Sequence, residues 1–126
     1  MLPLRFGMLW LSAGWLGVLG ATVVSLSPSV PQVQFSFDDK LAHAFVYLLL
    51  MLWFAGIYKR RRYLLIAAGL FTMGVALELL QARIGRDLSG LDMLANLIGI
   101  VCGLALAWGA LGGWCVKLES WLLAKT

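Results

Sequence analysis

The chain has 126 residues, 62% hydrophobic and 13% charged, with a mean hydropathy of +0.91. So short a chain cannot bury that much apolar surface in a core of its own, which excludes an ordinary water-soluble domain and points to lipid as the solvent. The net charge of +4 does not indicate a nucleic-acid partner, because the basic residues flank hydrophobic runs, where they set membrane orientation.

One domain is expected over residues 1–126, with four membrane-spanning helices at about 6–26, 41–58, 63–82 and 91–116. The first run, Phe6 to Leu26, is uncharged throughout. Arg5 before it imitates the start of a signal peptide, but the run is longer than the usual ~7–15 apolar residues and no A-x-A site closes it. A retained helix is expected. Pro28 and Pro31 then break the chain, since neither can continue a helix. The second run, Leu41 to Tyr58, contains His43 as its only ionisable group of consequence, and Asp38, Asp39 and Lys40 precede it. The third, Tyr63 to Ala82, is interrupted by Glu78. The fourth, Leu91 to Val116, is interrupted by Asp92 and Asn96. Backbone groups in lipid must be paired within the segment, so helices are the default, and the fold class is an all-α membrane protein.

Orientation follows from the basic residues. Lys59, Arg60, Arg61 and Arg62 lie between the second and third runs, Arg5 precedes the first, and Lys117 and Lys125 follow the fourth. Four crossings put all of these on one side, which the positive-inside rule makes the cytoplasm. Both termini are then cytoplasmic. Cys102 and Cys115, along one helix, are separated by roughly 20 Å, beyond disulfide reach.

With that topology the unusual polar residues share one depth near the outer surface. Asp39, His43 and Tyr47 are four apart and share a face, with Lys40 in reach of His43. Glu78 and Gln81 lie in the last turn or so of the third helix, and Gly74 is one turn below Glu78. Asp92, Asn96, Gly99 and Gly103 form one stripe of the fourth helix. Gly99 to Gly103 is a G-x-x-x-G, which lets two helix backbones approach closely; Gly14 and Gly17 offer a second such contact.

Asp39-Lys40-x-x-His43-x-x-x-Tyr47, Glu78-x-x-Gln81, Arg86, and Asp92-x-x-x-Asn96-x-x-Gly99 with Gly103 together resemble the pattern of VanZ-like membrane proteins. The resemblance runs from about Asp39 to Gly103; Arg83 and Asp87 fall outside the pattern. It implies a small multi-pass protein of the bacterial inner membrane and a cell-envelope context. Through the founding member of that family it also implies a link to resistance to the glycopeptide antibiotic teicoplanin. It implies no reaction.

Three readings of the polar cluster stand side by side. Gln81 and Asn96 fit hydrogen bonds that tie helices together. Glu78 and Asp92 are costlier, since a carboxylate at the centre of a spanning helix costs roughly 2.5–3.5 kcal/mol on insertion scales. Lys40, Arg83 and Arg86 stand on the outer side, where the positive-inside rule predicts few cations. They either neutralise Asp38, Asp39, Asp87 and Asp92, or hold an anionic headgroup of a phospholipid or a lipid-linked cell-wall precursor. The candidate ligand-binding set is thus Asp39, Lys40, His43, Tyr47, Glu78, Gln81, Arg86, Asp92 and Asn96. The alternative is a membrane-embedded enzyme acting on a lipid-linked substrate, with His43, Glu78 and Asp92 in acid–base or metal-assisted roles. One histidine is thin for zinc, and no cofactor or metal is expected. A transporter is disfavoured, because four helices make a small pathway and no inverted repeat is evident.

Overall fold

The computed structural model describes residues 2–26, 37–83 and 90–124. Residues 27–36, with Pro28 and Pro31, and residues 84–89, with Arg86 and Asp87, lie outside the described residues, as does the Asp39 side chain. The described elements are helical: α1 (Gly7–Leu26), α2 (Phe37–Ile57), a 3-10 turn (Arg60–Arg62), α3 (Tyr63–Arg83), α4 (Gly90–Leu106), a π-helical turn (Ala107–Leu111) and α5 (Trp114–Ala124). Four stretches are long and apolar enough to cross a membrane, at Gly7–Val24, Lys40–Ile57, Arg60–Gln81 and Gly90–Leu111. The all-α membrane architecture expected from the four runs is therefore the one observed.

The outward distribution of apolar side chains fits that solvent. Leu9, Leu16 and Val23 of α1, Leu64 and Leu65 of α3, and Leu94, Ile98 and Val101 of α4 are exposed. In water so much exposed leucine and valine would be an aggregation liability; in hydrocarbon it costs nothing, since lipid tails are as apolar as leucine.

Helix α2 is the hub and contacts α1, α3, α4 and α5. Met51, Ala55 and Ile57 along it are completely buried. Met51 and Ala55 share a core with Tyr47, Leu50, Tyr63, Leu70, Ile100 and Ala107. The tightest neighbour is α4, which runs parallel to α2. A Cβ placed at Gly99 would collide with the Ala44 carbonyl, and one at Gly103 would stand 2.9 Å from Met51 Cβ. The G-x-x-x-G stripe thus does what its spacing predicts, letting two backbones approach where a methyl group has no room. Gly14 likewise seats α1 against Trp53 and Phe54 of α2.

The fourth run departs from its expected extent. Instead of one helix to Val116, α4 widens into the π-turn and ends at Gly112. Gly113 then adopts φ 71°, a left-handed conformation available at low cost only to glycine. The chain turns and α5 begins. The break is offset by hydrogen bonds to carbonyls in the last two turns of α2, the final four of which have no partner inside their own helix. Gly113 N–H donates to Ala55 O at 3.2 Å, the Tyr63 hydroxyl donates to the same oxygen at 3.1 Å, and the Trp114 indole donates to Leu52 O at 2.7 Å. Leu2 N–H donates to Ile57 O at 2.8 Å. The start of the chain, α5 and the basic turn therefore meet at one end of the bundle. Cys115 belongs to α5 and is buried, whereas Cys102 in α4 is exposed, and both are free thiols.

Candidate functional site

The other end of the bundle gathers the polar residues. α2 and α4 begin there and α3 ends there. Lys40, in the first turn of α2, pairs with Asp92 in the first turn of α4. Asp92 thus offsets a cation placed at the unfavourable positive end of a helix. Both side chains keep some exposure, at 20% and 14%. One turn deeper, His43 Nδ1 lies 3.2 Å from Asn96 Oδ1. An amide oxygen only accepts, so Nδ1 carries the proton, and in the neutral ring Nε2 is the acceptor nitrogen. Asn96 Nδ2 rests over Gly74 of α3: a Cβ there would stand 3.0 Å from that nitrogen and 3.2 Å from the Tyr47 hydroxyl. Three helices thus converge on Gly74, Tyr47 and Asn96.

Glu78, Gln81 and Asn96 are among the most enclosed polar groups, at 3%, 6% and 4% exposure. The Glu78 carboxylate lies within electrostatic reach of Tyr47. Among the described residues no buried side-chain nitrogen or oxygen lacks a hydrogen-bond partner, as a low-dielectric interior requires. Of the sequence-derived candidates, then, the structure brings Lys40 to Asp92 and His43 to Asn96, and sets Tyr47 beside Asn96 and Glu78. Gln81 is buried near the end of α3, and Arg83 is exposed in its last turn. Among the described residues no three His, Cys, Asp or Glu side chains stand close enough to share a metal ion.

One polar residue escaped the sequence reading. Glu119 of α5 is buried and accepts hydrogen bonds from Arg5 N–H at 2.7 Å, Phe6 N–H at 3.0 Å and the Trp10 indole at 2.6 Å. It caps α1 from a distance of more than a hundred residues, satisfying N–H groups at the helix start and placing negative charge at its positive end. Burial pushes the carboxyl upward, but the Phe6 and Arg5 N–H groups, the Trp10 indole and the Arg5 charge outweigh it and hold it below the usual carboxylate value. Around it Trp10, Trp53 and Trp114 form an edge-packed trio with centroids 5.3–5.5 Å apart. The one available signal is a lone carboxylate between Leu118 and Ser120, close to the apolar run Trp121–Ala124.

The fold and the two ends define a multi-pass helical membrane protein. No protein-family model matches the chain, and neither a curated protein nor a solved structure matches it.

Proposed function

We propose that the polar end binds the anionic headgroup of a lipid or lipid-linked cell-envelope component at the outer face of a bacterial inner membrane. The observation that carries this reading is the Lys40–Asp92 pair, partly exposed and set directly above His43 and Asn96. The N-termini of α2 and α4 stand at the same end, and helix N-termini favour negative charge. An incoming phosphate takes over Lys40 from Asp92, with the His43–Asn96 pair one turn below as the floor of the site. The residue pattern that resembles VanZ-like proteins supports the envelope setting and a link to glycopeptide resistance. Both termini and Lys59–Arg62 then face the cytoplasm.

A second reading rests on the same contacts. Lys40–Asp92 and His43–Asn96 both join α2 to α4, and a purely structural tie needs nothing more. Native mass spectrometry across a lipid series separates the two. On the binding reading the wild type retains phosphatidylglycerol or a polyprenyl phosphate better than phosphatidylcholine, and Lys40→Ala weakens that retention. Equal retention by wild type and variant leaves a helix tie alone.

A further inference from the structure

A lipid-sized groove lies on another part of the surface. Between α1, α2 and α3 runs an apolar groove of about 760 Å³, lined by Trp15, Val18, Phe54, Leu70, Met73 and Leu77 among others. Thr22 also lines it, but its hydroxyl is turned to the Val18 carbonyl at 2.9 Å, so it adds no polar demand. From Arg62, in the turn before α3, to Leu77 of α3 the groove extends about 22 Å at the helical rise. That exceeds the ~15 Å of hydrocarbon in one leaflet, so an acyl chain fits along its length. Gly69 sits on the groove wall, and a Cβ there would meet nothing within 4 Å. The space is therefore open to an occupant and not filled by neighbouring side chains.

The mouth of the groove is basic. Arg62 and Tyr58 line it, and Lys59, Arg60 and Arg61 are exposed beside them. Among the described residues no acidic side chain pairs with any of these four cations. Tyr58 also borders a smaller cleft of about 280 Å³, where Arg60 and Lys117 stand. An apolar channel one acyl chain long, ending in a phenol and in cations with no acidic partner among the described residues, matches the shape and charge of a negatively charged phospholipid.

We infer that the α1–α2–α3 groove holds one acyl chain of an anionic phospholipid, whose headgroup rests on Arg62 and Tyr58 at the end of the bundle opposite Lys40. Arg62 supplies charge and a fork for phosphate oxygens, and the groove supplies the contact area. The site stands whether or not the polar cluster takes a ligand.

The test is native mass spectrometry of the full chain with phosphatidylglycerol and phosphatidylcholine added separately. The wild type should retain phosphatidylglycerol preferentially. Arg62→Gln should cut that preference about fivefold, the effect of one basic residue near an anionic surface. Gly69→Trp, which fills open space, should displace a lipid of either kind while thermal stability in the same detergent stays at the wild-type value. Lys40→Ala should leave the Arg62-dependent part of that preference in place, whatever lipid the opposite end loses. An unaltered preference in Arg62→Gln, or a full wild-type complement of lipid in Gly69→Trp, would overturn the assignment. So would a preference that survives Arg62→Gln and vanishes in Lys40→Ala.

Discussion

His43 Nδ1 and Asn96 Oδ1 stand 3.2 Å apart and bridge α2 to α4 one turn below the Lys40–Asp92 pair. If the bridge contributes as interhelical hydrogen bonds in lipid do, Asn96→Ala should cost about 0.6–1.7 kcal/mol. The double variant with His43→Ala should cost less than the sum of the two singles, because the residues share one contact. Detergent-titration unfolding measures this. Strict additivity would show that the contact contributes no coupling.

Gly99 and Gly69 make opposite predictions from one residue type. Gly99→Ala drives a methyl into the Ala44 carbonyl, whereas Gly69→Ala points into open space. The first should destabilise by about 1–3 kcal/mol, the range for overpacking; the second should be neutral or slightly stabilising through helix propensity. Thermal unfolding of the two purified variants decides it, and equal stability would contradict the close α2–α4 approach.

Glu119 gives the α1 start a pH dependence of known sign. Its folded carboxyl lies below the ordinary value of 4.5, so its contribution is complete above that value and is lost as pH falls through the depressed folded one. The Trp10 indole N–H resonance should hold steady from neutral pH to about 4.5 and move only at lower pH. Glu119→Gln should abolish that transition and speed amide exchange at Arg5 and Phe6. A titration centred above 4.5 would contradict the clamp as described.

The start of the chain, α5 and the Arg60–Arg62 turn occupy one end of the bundle. Reporter fusions at Arg61 and after Ala124 should therefore report one compartment, expected to be the cytoplasm, and fusions at Gln34 and Gly85 the other. Arg61 and the C-terminus on opposite sides would break the topology.

Much of this is legible in the sequence. The four spans follow from hydropathy alone, which needs no tertiary information. The stripe of Asp92, Asn96, Gly99 and Gly103 was readable because helical spacing puts such residues on one face, and that face meets α2 through Lys40, His43, Ala44 and Met51. The end of the fourth helix was not readable. Gly112 and Gly113 sit within an apolar stretch, and hydropathy does not register a left-handed φ. The Glu119 clamp was hidden for another reason: its partners are two backbone N–H groups and one indole more than a hundred residues away, and N–H groups leave no mark in a sequence.

The central claim is that an anionic lipid headgroup engages the Lys40–His43 end. His43 is the single histidine of the chain, so its ring nitrogens give unambiguous ¹⁵N signals. In zwitterionic nanodiscs, titration with a polyprenyl phosphate or phosphatidylglycerol should shift those signals to saturation. Lys40→Ala should weaken the response, and Arg62→Gln should leave it intact. Ring signals that stay fixed through both titrations in the wild-type protein would contradict the claim.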